Sequence, residues 1–306
     1  MADRLENFKA VLLVTLGFGL FSLNDAIIKL LAQTYSIPQT LFWTSFFVCL
    51  VLFVYAGALG KLRGFKTQET KWHFLRGVLM ALMIGCNIFA LIKLQITDFY
   101  VIVFTAPMVV SLTAWLFLKD KLKKRQITTI SAGFLVILYI CRPDGELFNI
   151  GALSAITGVV FFSLATLLVR SKLREENPLL ISMNGPAVTA IIALPLMAWF
   201  GFVVPASTLD MILFLICGAA AAFGGVFFSM GFQRATSAAV VAPLHYTQIV
   251  WGALLGYAIF REIPNQEVIV GAILLAGLGI YLIVTEARMR HHTPAENENL
   301  VQHGPV

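Results

Sequence analysis

Two short polar clusters stand where apolar surroundings make them costly. Asn24 and Asp25 interrupt the apolar run from Ala10 to about Leu31. An ionisable group at membrane depth costs on the order of 3 kcal/mol on insertion scales, so Asp25 is a candidate for function rather than packing. It either pairs with Lys29, four residues on and in the favoured acid-first order, or faces a cavity and holds a cationic group or a coupling proton. Far along the chain, "PLHYTQIVWG" from Pro243 puts His245 and Gln248 three residues apart, hence on one helix face. His245 either donates to a neighbouring helix carbonyl or lines the same cavity. The expected small-molecule contacts are Asn24, Asp25, Asn87, Thr105, His245, Tyr246, Gln248 and Trp251, with Asp25 and His245 as the expected proton carriers. Ser163, Thr166 and Asn184 add neutral groups of a kind that also joins helices. No catalytic residue, cofactor or metal is expected, because Cys49, Cys86, Cys141 and Cys217 lie isolated in apolar stretches without the paired spacing of a zinc or redox site.

These residues need an unusually apolar scaffold to hold them. The chain is 59% hydrophobic and 12% charged, against about 25% charged in ordinary globular domains, which excludes a water-soluble fold. Apolar runs of roughly 20 residues span a bilayer, and ten are read here: 10–31, 38–59, 72–93, 98–118, 126–141, 149–170, 179–202, 210–232, 237–260 and 266–285. The first reads as a retained helix rather than a signal peptide, since Asn24 and Asp25 sit inside it. Trp43, Trp72, Trp115 and Trp199 fall toward span ends, as interfacial anchors do, leaving Trp251 deep enough to stack on a ligand. Pro107 and Pro243 are kink points or tolerated prolines. Gly252 with Gly256, and Gly218, Gly224 and Gly225, suit close helix packing. Lys119 with Asp120 and Arg261 with Glu262 are expected at the water interface, fixing helix ends.

The net charge of +6 resides in the breaks between spans and is not interleaved with stacking aromatics, which argues against a nucleic-acid partner. With ten spans and both termini cytoplasmic, all 22 basic residues except Lys29, Lys93, Arg142 and Arg261 fall on the cytoplasmic side, as the positive-inside rule requires. The halves also look alike. "FSLNDAIIK" from Phe21 resembles "FSLATLLVR" from Phe162, 141 positions on; Asp120 and Glu262 end their spans 142 apart; and "AGFLVILYI" from Ala132 parallels "AGLGIYLIV" from Ala276, 144 apart. The expected fold is therefore an all-α integral membrane protein of ten transmembrane helices, built as two inverted five-helix repeats. Residues 1–9 form a cytoplasmic N-terminus, 10–143 the first repeat, 149–285 the second and 286–306 a disordered cytoplasmic tail.

These features resemble the drug/metabolite transporter superfamily, specifically its EamA-type members, over about residues 10 to 285. The likeness rests on the five-plus-five pattern, "HFLRG" from His73, "FLKD" and "IFRE" closing the fourth and ninth spans, and "PLHYTQIVWGALLGYAIFREIP" from Pro243. It implies two basket-like halves around a central cavity and alternating-access transport without ATP hydrolysis. It also implies an amino-acid-like, S-adenosylmethionine-like or riboflavin-like cargo crossing the bacterial inner membrane, in a monomer or homodimer. Many such relatives carry an arginine early in the second span. This chain has Thr44 and Ser45 in "FWTSF" there, so no anion-binding arginine carries over. A flippase for a lipid-linked intermediate is the alternative, and a membrane lipid-modifying enzyme is disfavoured by the scatter of the histidines.

Overall fold

The computed structural model describes residues 2–60, 67–119, 127–128, 131–133, 135–136, 149–173, 175–199, 201, 204–234 and 242–290. The expected fifth span (126–141) falls mostly outside them. Asp120, Cys141, 237–241 and the tail beyond 290 lie wholly outside.

Among the described residues the chain is helical throughout: α1 (Ala2–Leu31), α2 (Ile37–Ala58), α3 (Thr70–Lys93), α4 (Ile96–Val103), α5 (Ala106–Leu118), α6 (Ile150–Lys172), α7 (Pro178–Trp199), α8 (Thr208–Arg234), α9 (Thr247–Leu255) and α10 (Gln266–Arg290). A 3₁₀ turn (Ala242–Tyr246) precedes α9 and a π turn (Gly256–Phe260) follows it. Seven stretches are long and apolar enough to cross a membrane: Glu6–Leu31, Ile37–Ala58, Thr70–Lys93, Ile96–Leu118, Ile150–Val169, Leu180–Trp199 and Thr208–Gly231. A shorter apolar helix runs Gln266–Leu278. Large apolar side chains such as Phe53, Leu116, Phe117 and Trp199 stay exposed, as lipid-facing residues do. The chain is a multi-pass membrane protein.

Local sequence sets the helix ends. The Gln39 side chain accepts the Ser36 N–H at 2.9 Å, opening α2 with Pro38 in its first turn. Asn149 caps α6 by accepting from Gly151 and Ala152, satisfying amides that have no partner within the helix. The segments ending at Leu118 and Phe260 both close on a basic residue in the left-handed region, Lys119 (φ 57°) and Arg261 (φ 59°). These positions are 142 apart.

The stretch Ile96–Leu118 is interrupted at Phe104 and Thr105, and the stretch from Ala242 to Phe260 changes from 3₁₀ to α geometry at Thr247. Thr105, between α4 and α5, returns its hydroxyl to the Ile102 carbonyl at 2.7 Å, and Thr247 does the same to Leu244 at 2.6 Å. Those threonines are also 142 apart. Pro107, placed in the first turn of α5, lacks the N–H that a continuous helix would need at that point.

The halves pack through each other. The main contacts are α1 with α8, α3 with α6, α2 with α7, α3 with α7 and α2 with α8. Exchanging each of α1–α3 for its counterpart in α6–α8 turns this set into itself. Gly17 and Gly224 let α1 and α8 cross closely, since a Cβ on either would stand about 3 Å from the other's carbonyl oxygen.

Candidate functional site

The site is built where the two halves meet. Helix α1 carries Asn24 and Asp25 on adjacent positions, with the Asn24 amide donating to Asp25 Oδ1 at 3.2 Å. From α4, the Tyr100 hydroxyl donates to Asp25 Oδ2 at 2.8 Å. From α8, the Cys217 thiol donates to Asn24 Oδ1 at 3.0 Å and lies 3.9 Å from the Thr44 hydroxyl on α2. A chain of polar contacts through four helices therefore ends on one carboxylate, and each bond to a charged acceptor is worth about 1.5–3 kcal/mol.

Glycine explains how Tyr100 reaches that carboxylate. A Cβ on Gly252 would stand 2.5 Å from the Tyr100 ring, so only glycine lets α9 press this close to α4. Its expected packing role is thus tied to Asp25.

Lys29 does not pair with Asp25. Its ammonium makes an ion pair with Glu262 and donates to the Leu94 carbonyl at 2.5 Å, while Glu262 Oε2 accepts the Ile96 N–H at 2.9 Å. The expectation that Glu262 merely sits at the water interface is corrected, because its side chain is only 14% exposed and joins the two halves. Asp98, unremarked in the sequence, lies buried in the first turn of α4 with Oδ1 lacking a hydrogen-bond partner.

Two adjoining cavities, of about 540 and 530 Å³, share Phe21, Asp25, Met83 and Asn87 in their walls. Asn24, Thr44, Ser45 and Arg76 line the first, and Phe18, Phe162, His245 and Gln248 the second. His245 stacks on Phe18 at 4.9 Å and meets the Phe104 ring edge-on at 5.3 Å. Of the expected contacts, Asn24, Asp25, Asn87, His245 and Gln248 thus border the cavities. The other three do not. Thr105 spends its hydroxyl within its own turn, Tyr246 packs edge-on against Phe104 at 5.0 Å, and Trp251 lies on Gly19 of α1, where a Cβ would stand 3.1 Å from its Cε2. Gly225, expected in a packed crossing, instead has open space beside it and lines the first cavity.

The EamA-like transporter family matches residues 8–142 and again residues 149–285. The chain belongs to that family. This EamA-like transporter is 27% identical over 266 residues to the pseudopaline exporter of Pseudomonas aeruginosa, covering 87% of this chain and 92% of the relative. It is 24% identical over 293 residues to the S-adenosylmethionine uptake transporter of Rickettsia conorii, covering 94% and 97%, and 24% identical over 267 residues to that of Rickettsia prowazekii, covering 87% and 90%. A solved crystal structure shares its fold with a TM-score of 0.59 at 15% identity, over 94% of this chain and 98% of that one. The protein is a membrane transporter of the drug/metabolite superfamily, not an enzyme.

Sequence reasoning missed Arg76 of this transporter, which reads as one more basic residue of the positive-inside pattern. Its Nη1 donates to the Ile181 carbonyl at 2.8 Å and its Nε is buried without a hydrogen-bond partner, in the wall of the cavity that also holds Asp25. The available signal was its place seven residues into α3, past the helix end where a snorkelling charge escapes to water.

Proposed function

We propose that this transporter moves a small polar, amino-acid-derived metabolite through the chamber between its halves by alternating access, without ATP hydrolysis. One observation carries the reading: Asp25 is a carboxylate at membrane depth that borders both cavities, while the lysine one turn away is committed to Glu262. A carboxylate kept available in this way suits a cationic group of the cargo, a coupling proton, or each in turn. His245 and Gln248 face the same space from α9 and the turn before it.

The two inverted five-helix repeats, 10–143 and 149–285, are the architecture on which this mechanism rests, with ten spans and both termini cytoplasmic in a bacterial inner membrane. Supporting them are the paired family match, the helix contacts that exchange between halves, and the matching breaks at Thr105 and Thr247. Rocking of such repeats about a midplane site alternates access to it. The named relatives include both an exporter and an uptake transporter, so the likeness carries no direction of transport.

Counterflow in proteoliposomes loaded with S-adenosylmethionine tests the proposal. Wild type should accumulate label and Asp25→Asn should lose at least about tenfold, the worth of one charge-assisted contact, while unfolding at a similar temperature. Undiminished counterflow in Asp25→Asn, with unchanged pH dependence, would overturn the role given to the carboxylate.

A further inference from the structure

Resting on the reading of the chamber as the cargo site, we infer that Arg76 forms a second, anion-binding pole, so that the cargo carries both a cationic group, met near Asp25, and a carboxylate, met near Arg76. Both residues line the same cavity. A guanidinium has five N–H donors and no acceptor, and of these Nη1 goes to the Ile181 carbonyl while Nε is buried without a partner. No ion pair to Arg76 occurs among the described residues. A guanidinium held this way has no counter-ion among the described residues, and a carboxylate matches its planar donor fork better than any neutral group. Asp25 lines the same cavity but makes no ion pair with Arg76.

Asn87 shares both cavity walls with Asp25, and Arg76 lies eleven positions earlier on the same helix, from 76 to 87, which is about 16 Å of helical rise. The two poles are therefore separate points of one chamber, which a cargo meets with separate groups.

The test uses purified full-length protein in detergent and compound pairs differing in one carboxylate: S-adenosylmethionine with its decarboxylated form, and arginine with agmatine. Ligand-induced rise in melting temperature reports binding by mass action. Wild type should bind S-adenosylmethionine at least about tenfold more tightly than the decarboxylated form, as expected for a contact between charged groups. Arg76→Gln, which keeps a donor for the Ile181 carbonyl, should lose the carboxylate preference while its ligand-free melting temperature stays near wild type. Arg76→Lys should restore part of it. Equal binding of both members by wild type, or the same preference in Arg76→Gln, would overturn the second pole and leave the Asp25 chamber standing. Binding of neither pair, together with no effect of Asp25→Asn, would remove the chamber reading and this inference with it.

Discussion

At the end of the bundle that holds the α1–α2 loop, strong polar groups meet partners from the opposite half, whereas around Asp25 several keep capacity in reserve. At the first place Lys29 meets Glu262, the Tyr35 hydroxyl donates to Asp210 at 2.7 Å and accepts the Ala206 N–H at 2.8 Å, and Gln39 donates to the Gly201 carbonyl at 2.9 Å. In the chamber, Asn87 Oδ1 and Arg76 Nε are buried with no hydrogen-bond partner. Unpaired buried polar atoms are costly. Gln95 Oε1 and Asp98 Oδ1, next to the Lys29 pair, are unpaired as well, so what sets Asn87 and Arg76 apart is that they also line the cavity beside Asp25. The contrast separates groups that hold the halves together from groups that border the proposed cargo chamber.

Breaking the staple should have the largest effect on stability. Lys29→Met strands a carboxylate that is mostly buried, and removing one member of a buried pair costs about 3–5 kcal/mol. Thermal unfolding should show that loss, and the double change Lys29→Met with Glu262→Leu should recover most of it, since apolar replacement of both partners is often close to neutral. A double variant as unstable as the single one would mean that the pair does more than satisfy itself.

Next comes Gly252→Ala, which sharpens the comparison because it touches the chamber through packing alone. The new methyl meets the Tyr100 ring, and overpacking of this kind costs about 1–3 kcal/mol. Cargo affinity should fall with stability as the Tyr100 bond to Asp25 is disturbed, which paired binding and unfolding measurements would show.

Tyr35→Phe removes two hydrogen bonds, one of them to a carboxylate, and should cost about 2 kcal/mol, with cargo affinity unchanged. Burial, with the Asp210 carboxylate adding to it, holds the Tyr35 phenol above its ordinary value. A group raised on folding contributes fully below its unfolded value of about 10 and loses that contribution only as pH climbs through the folded one. The stability difference between wild type and Tyr35→Phe should therefore stay constant from neutral pH to mildly alkaline pH. Smallest of all, Trp251→Phe should leave cargo affinity unaltered, because that ring packs on Gly19.

How much of this could be read from the residues follows the range of the interactions. Apolar runs and Asp25 were legible because hydropathy and misplaced charge are local signals. The breaks at Thr105 and Thr247 were only half legible: the prolines hinted at them, but the threonine back-bonds are geometric. Lys29 and Glu262 stand 233 positions apart, and periodicity carries no trace of such a pairing, so one read as an outer basic residue and the other as an interface charge. For Trp251 the residue type does not tell a cavity wall from a helix crossing; its ring lies against Gly19 of α1.

The central claim is that the space beside Asp25 is the route of the cargo, and Gly225→Cys tests it most directly. The position faces open space in the first cavity, so a cysteine fits there without displacing a neighbour. In a background with Cys49, Cys86, Cys141 and Cys217 replaced by serine, a water-soluble thiol reagent applied to permeabilised vesicles should label Cys at 225, and S-adenosylmethionine should slow the labelling, with protection lost in Asp25→Asn. Labelling that proceeds at the same rate with and without S-adenosylmethionine, or no labelling at all, would contradict the account.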